Sequence, residues 1–442
     1  MLGPRLVVAG THSGAGKTTV ATGLLAALRA AGHRPAAAKV GPDFIDPGYH
    51  ALASGRPPRN LDAWLCGLDA VVPLAARAAA GADLLVVEGV MGLFDGAADG
   101  SPSSTADVAR ALGAPVVLVV DAAAQSSSVA AVVHGFATLD RTVRIGAVVL
   151  NRVASDGHEV LLREALEPLG IPVVGALRRD DRLVWRDRHL GLVPVAERPD
   201  EVATALAALA AAVADRVDLA AVVALASSAP PLPAGPVALP EPVGRPSRVA
   251  VAGGRAFTFT YTDTLDALAA AGAEVVRFDP LRDEGLSADI DGLLVGGGFP
   301  ESYATELVAN RPLLDDVRRR VTGGLPTWAE CGGYAWLCRS LDGHAMAGVI
   351  DATATMTDRL HLGYRTARTT VATPLGPAGT EFRGHEFHYS TVAPAGAALD
   401  LRSRFAAHPD GHATPSLVAT YLHHPPGGAP SIVAAFVRGL KP

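Results

Sequence analysis

Basic charge is in short supply in this 442-residue chain. Its 38 lysines and arginines face 44 aspartates and glutamates, a net charge of −6. No basic face for the phosphates of a nucleic acid is therefore expected. Cysteine is scarcer still. Cys66, Cys331 and Cys338 show neither metal-ligand spacing nor an even disulfide framework, as expected of a chain working in a reducing cytoplasm. Long apolar runs are missing too. The alanine-rich stretch at 203–213 is bounded by Asp200, Glu201 and Asp215, so it reads as an amphipathic helix and not as a membrane span. One early arginine precedes an immediate strand, without the apolar stretch or cleavage site of a signal peptide, and none is expected. No internal repeat is visible.

The length exceeds one ordinary core, so two or three domains are expected. Short runs at 6–9, 84–87, 116–120 and 145–150 are apolar throughout and separated by helix-length segments. That alternation predicts an α/β fold with a parallel sheet covered on both faces. Ligands bind such sheets beyond the C-terminal strand ends, where Glu88, Asp121 and Asn151 stand. Prolines 230, 231, 233, 236, 240 and 242 mark a stiff extended linker. The strand pattern then restarts at 249–251, 274–278 and 293–295. The expected organisation is a nucleotide-binding domain at 1–225, a linker at 226–246 and a second α/β domain at 247–442.

Gly14-Ala15-Gly16-Lys17-Thr18-Thr19 follows the first strand and opens a helix near 17–31. Glycines let backbone N–H groups close on phosphates, Lys17 can reach the outer phosphates, and Thr18 can ligate Mg²⁺. The strict pattern has glycine at position 11, where this chain has Thr11 with Gly10 one step earlier. Lys39-Val40-Gly41-Pro42-Asp43-Phe44-Ile45-Asp46-Pro47 is a loop presenting Asp43 and Asp46. Asp routinely caps turns, but carboxylates beside a nucleotide also hold Mg²⁺. Glu88, at the end of a buried strand, is placed as a second metal-binding acid. The candidate metal set is Thr18, Asp43 and Glu88.

Cys331 lies in Trp328-Ala329-Glu330-Cys331-Gly332-Gly333-Tyr334. Small neighbours suit a sharp strand-to-helix elbow that lifts the sulfur above the sheet edge. The helix N-terminus at Gly332 is expected to lower the thiol pKa. Gly296-Gly297-Gly298 follows a strand and can aim N–H groups at an oxyanion, with Gly332 as a further donor. A thiol nucleophile needs a base. His385, His388, His423 and His424 are the candidates.

The loop from Gly10 to Thr18 resembles that of dethiobiotin synthetase. Partition-type ATPases carry a second lysine where His12 stands. The order of Cys331 and a late-loop histidine resembles the class I glutamine amidotransferases and selects His423. Those enzymes commonly carry an acid two residues after the base, whereas this chain has Pro425.

Nearly end to end, the chain resembles the cobyrinate and hydrogenobyrinate a,c-diamide synthases of cobalamin biosynthesis. The resemblance is carried by the phosphate loop, residues 39–47, Arg59-Asn60-Leu61-Asp62, residues 88–96, Leu150-Asn151-Arg152, Arg188-His189-Leu190-Gly191-Leu192, residues 329–333, Gly363-Tyr364-Arg365, residues 383–390 and Tyr421-Leu422-His423. It implies that Cys331 takes ammonia from L-glutamine while ATP with Mg²⁺ converts a corrinoid carboxylate into an acyl phosphate. It implies ATP contacts from Thr11, Gly14, Gly16, Lys17, Thr18, Thr19 and Asn151, with Asn151 toward the adenine. Lys39, Asp43 and Asp46 would face the substrate or its acyl phosphate. Gly297, Gly298 and Gly332 would form the oxyanion hole. A homodimer is a candidate assembly. The alanine- and arginine-rich composition fits a GC-rich genome, and on that ground metal-free hydrogenobyrinate is expected over cobyrinate. The rival within the family is a nickel-sirohydrochlorin a,c-diamide synthase. From another class, the rival is a P-loop ATPase switch with an inactive amidotransferase domain.

Overall fold

Alternation of side chains across each strand builds the first sheet's two core layers. Val7, Ala9, Leu85 and Val87 join one buried cluster, while Leu6, Val8, Leu84 and Val86 join the other. Each fully buried valine or leucine contributes about 1.5–3 kcal/mol. The computed structural model describes residues 1–180, 187–188, 191–243 and 246–440, which form two compact units, Met1–Val237 and Ala238–Pro442. His189 and Leu190 of the 188–192 motif lie outside the described residues.

In the first unit seven strands are all parallel: β1 (Arg5–Gly10), β2 (Pro35–Val40), β3 (Arg59–Leu61), β4 (Leu84–Glu88), β5 (Val116–Asp121), β6 (Ile145–Val153) and β7 (Val173–Arg178). Their order is β3-β2-β4-β1-β5-β6-β7. Because β4 inserts between β2 and β1, the loops after all three emerge side by side at one sheet edge. The helix Lys17–Ala30 covers one face. Gly23 lets the helix Pro199–Arg216 approach closely, since a Cβ there would lie 2.5 Å from Val213 Cγ2. No helix among the described residues is long and apolar enough to cross a membrane.

The proline-rich segment is not wholly a free spacer. The helix Leu219–Ser227 runs into its start. Leu2 and Leu232 then exchange backbone hydrogen bonds, and the buried Arg5 guanidinium donates to the carbonyls of Leu112, Gly3 and Pro230. The Arg5 side chain thereby satisfies the Pro230 carbonyl. Gly244 and Arg245 of the expected linker, and Lys441 and Pro442 at the end of the second domain, lie outside the described residues.

The second unit has a six-stranded sheet. Ala273–Phe278, Ser247–Ala252, Gly292–Val295, Thr327–Glu330 and Leu417–Thr420 are parallel in that spatial order, and His412–Thr414 closes the edge antiparallel. A second sheet is built on the long antiparallel pair Ile350–Thr369 and Glu381–Ala393. The buried rings of Trp336, Tyr334 and Phe257 fill the core beneath the helix Gly332–Leu337.

Candidate functional site

In the first unit the phosphate loop needs its glycines. Gly14 and Gly16 have φ of 83° and 100°, the left-handed region that favours glycine. Gly10 is required by a close approach, because a Cβ there would stand 2.9 Å from Lys17 Cγ. Lys17 is buried and its Nζ donates to the His12 carbonyl at 3.2 Å. Burial, and then the nearby Lys39 charge, push the Lys17 ammonium down to about 8. Thr11 donates its backbone N–H to Val119, and its hydroxyl meets His12 Nδ1 at 2.9 Å. Thr19 follows Thr18 in the first turn of the helix. Asn151 Nδ2 donates to the Ala15 carbonyl at 3.0 Å, so this residue braces the loop from β6.

Beside the loop sits a buried ionic cluster. Thr18 Oγ1 lies 2.6 Å from Glu88 Oε1 and 3.3 Å from Asp46 Oδ2. Lys39 Nζ donates to Asp46 at 2.6 Å, to Glu88 at 2.9 Å and to the Gly89 carbonyl at 3.1 Å. His50 Nε2 completes Glu88 at 2.6 Å. Burial alone would discharge these groups, but mutual pairing outweighs it for two of them. Lys39 is held above its ordinary range by Asp46, Glu88 and Asp43. Glu88 is held below its range by Lys39, His50 and Thr18. Burial, and then Asp43's charge, raise Asp46 to about 7.

The expected metal set is arranged differently from its sequence form. Asp43 Oδ1 accepts the backbone N–H groups of Ile45 and Asp46 at 2.7 and 3.0 Å, capping the turn into the helix Asp46–Ser54. Asp46, not Asp43, brings a carboxylate to Thr18 and Glu88. Thr18, Asp46 and Glu88 offer oxygen donors only, which suit a hard cation such as Mg²⁺. Among the described residues no group of three or more His, Cys, Asp and Glu side chains is suited to a metal. A cation here would therefore lean on phosphate oxygens and water. Asn60 Nδ2 ties the loop down through the carbonyls of Gly41 and Asp43, at 2.8 and 2.7 Å. His50 was not among the expected residues. Its signal is its spacing from Asp46, since i and i+4 share one helix face.

In the second unit three neighbouring parallel strands deliver the thiol site to one edge. Cys331 follows Thr327–Glu330 and has φ 50° and ψ −104°, a strained elbow of the kind that can present a nucleophile. Its N–H donates to Thr420 on the adjacent strand at 2.8 Å. Gly332 and Gly333 are demanded by packing. A Cβ at 332 would meet Pro300 Cδ at 2.9 Å and Gly298 N at 3.0 Å, and one at 333 would meet Val295 O at 2.3 Å. Burial, and then the Glu301 charge, push the thiol up, and the Gly332 N–H offsets this only in part. The expected lowering by the helix terminus is overridden, because desolvation disfavours the thiolate more than one short turn favours it. As a nucleophile, Cys331 would therefore require a base.

His423 stands on the loop after Leu417–Thr420. Its backbone exchanges hydrogen bonds with His385 at 2.9 and 3.0 Å, and the two rings stack with centroids 5.0 Å apart. Its Nδ1 lies 3.6 Å from Glu330 Oε2. Gly297 lies against the imidazole, but its N–H donates to Phe259 O at 3.1 Å. That N–H is committed to the backbone, which leaves Gly298 and Gly332 as candidate donors of the expected three. His424 is structural, with its Nδ1 at 2.8 Å from the Arg383 carbonyl and its backbone N–H donating to Glu330 Oε1 at 3.1 Å. His385 Nε2 meets Tyr261 Oη at 2.7 Å. His388 stacks on Tyr421, and Glu386 pairs with Arg365 at 2.6 Å, so the remaining polar residues of 383–390 buttress the same wall. Glu330 was not among the expected site residues, although it directly precedes Cys331.

Residues 6–192 match the CobQ/CobB/MinD/ParA nucleotide binding domain, and residues 248–429 match the CobB/CobQ-like glutamine amidotransferase domain. A Streptomyces coelicolor protein named hydrogenobyrinate a,c-diamide synthase is 52% identical, with 99% of this chain and 98% of that protein covered. A Thermobifida fusca protein of the same name is 48% identical, with 99% and 97% covered. A Syntrophotalea carbinolica protein named cobyrinate a,c-diamide synthase is 43% identical, with 98% of each covered. With both domain families present and full-length identity at this level, the chain belongs to the hydrogenobyrinate/cobyrinate a,c-diamide synthase family of glutamine amidotransferases.

Proposed function

We propose that this chain amidates the a- and c-carboxylates of hydrogenobyrinate, using ATP and glutamine-derived ammonia, in the cytoplasmic part of cobalamin biosynthesis. The observation that carries the reading is the presence, in one chain, of a phosphate loop backed by acids and of a buried Cys331 and a buried His423 that follow neighbouring parallel strands. The names of the full-length relatives support the corrinoid, and the more similar ones bear the metal-free substrate's name.

A carboxylate and ammonia lack an adequate leaving group, so the acid must first be activated as an acyl phosphate. Thr11, Gly14, Gly16, Lys17, Thr18 and Thr19 are the proposed triphosphate contacts, and Asn151 bounds the adenine side while bracing the loop. Thr18, Asp46 and Glu88 would hold Mg²⁺, whose charge offsets that of the transferring phosphoryl group. Lys39 and the Asp43–Asp46 loop face the corrinoid carboxylate. Cys331 and His423 release ammonia from glutamine, with Gly298 and Gly332 at the oxyanion.

The test is mass spectrometry of the corrinoid after incubation with ATP, Mg²⁺ and glutamine. Hydrogenobyrinate and cobyrinate are offered separately. Two amidations of hydrogenobyrinate alone are expected. Reaction with cobyrinate alone would reassign the substrate, and reaction with neither, with glutaminase intact, would sink the corrinoid reading. Sedimentation of the same sample tests the proposed homodimer.

A further inference from the structure

The position two residues after His423 is Pro425, which cannot orient an imidazole. A carboxylate reaches that imidazole from another element. Glu330 ends its strand in register with Thr420 on the neighbouring strand, three residues before His423. Its Oε2 stands 3.6 Å from His423 Nδ1, and its Oε1 accepts the His424 N–H at 3.1 Å. The backbone contact pins one carboxylate oxygen and turns the other toward the ring. Both residues are buried.

We propose that Glu330, the residue immediately before the nucleophile, is the positioning residue that holds His423 in its Nδ1–H tautomer and faces the imidazolium formed during glutamine hydrolysis. This inference rests on the glutaminase reading above. Nucleophile and orienting acid then come from consecutive residues of one strand end, and the base comes from the next strand. Cys331 gives its proton to His423 Nε2 as sulfur bonds to the glutamine amide carbon. The imidazolium returns that proton to the leaving nitrogen, and ammonia departs. Water, deprotonated by the same nitrogen, opens the thioester to glutamate and restores the thiol. A buried carboxylate at Nδ1 favours the charged ring at each step.

Among the described residues, other groups also border the ring. His385 stacks on it from the strand Glu381–Ala393, and burial followed by the His423 charge push His385 well below its usual range. Phe259 meets it edge-on at 6.5 Å, and Gly297 borders Cε1. Glu301 acts on Cys331 from the loop after Gly292–Val295.

The test is Glu330→Gln in the full chain. The amide keeps an oxygen for the His424 N–H and removes the charge. Glutaminase kcat is expected to fall about 10²-fold, with glutamine KM nearly unchanged and ammonia-driven amidation retained. Activity near wild type, or a loss carried by glutamine KM instead of kcat, would overturn the proposal. Should the variant fail to fold, nitrogen-15 NMR of the wild-type chain decides, with the His423 signal assigned by its loss in His423→Asn. A neutral ring protonated at Nδ1 supports the pairing, and one protonated at Nε2 overturns it. A wild-type chain without glutaminase would overturn the reading above, while the tautomer would still decide the role of Glu330.

Discussion

Gly297 and His423 are in such close approach that a Cβ on the glycine would stand 2.5 Å from the imidazole Cε1 and 3.3 Å from Nε2. The ring cannot easily retreat. Its backbone is bonded to His385 on one side, and its face is stacked on the His385 ring. The glycine run therefore shapes the seat of the His423 ring, the proposed base.

Gly297→Ala should displace the imidazole without touching the nucleotide cluster. A shift near 1 Å in a catalytic group lowers rate about 10²-fold. Glutaminase should fall by that order while ammonia-driven amidation persists. Steady-state assays with glutamine and with ammonium chloride compare the two directly.

Cys331→Ser keeps the elbow's size but replaces a polarizable sulfur with a poor nucleophile. Glutamine-dependent amidation should drop by about 10³-fold or more. Amidation with free ammonia should continue at a rate set by the first unit. Parallel loss of both activities would contradict two separable chemistries.

Lys17 gives ATP binding a pH dependence. Its ammonium, lowered to about 8 in the free chain, is stabilised when a polyphosphate arrives. Above pH 8 the lysine must take up a proton as ATP binds, so affinity should weaken as pH rises from 8 toward 10. Calorimetry in buffers of different ionisation enthalpy should detect that uptake above pH 8 and little of it near pH 7.

Glu88→Gln should destabilise the first unit. The substitution leaves Lys39 and His50 facing a neutral amide in a buried site, and breaking a buried pair costs about 3–5 kcal/mol. Glu88's folded pKa lies below its unfolded value. Its contribution is thus present above the ordinary carboxylate range and is lost as pH falls through the folded value. The gap between wild type and variant in calorimetric Tm should be widest near pH 7 and should narrow in strong acid.

The sequence by itself determined the elements whose signal is local. The apolar runs at 6–9, 84–87, 116–120 and 145–150 are strands, because an uninterrupted apolar stretch of that length suits a sheet covered on both faces. The phosphate-loop glycines and the elbow around Cys331 were legible for the same reason, since each depends on its own few residues. The strand Pro35–Val40 was not legible: Pro-Ala-Ala-Ala-Lys-Val has little β propensity, and its place between β3 and β4 makes it a strand. Tertiary structure alone decided which acid meets Thr18, because Asp43 and Asp46 share one loop and only the fold turns one toward its own backbone. It also decided that an acid 93 residues earlier, Glu330, stands 3.6 Å from His423 Nδ1. Charge pairing acts through space, and no spacing along the chain encodes a contact made by strand register.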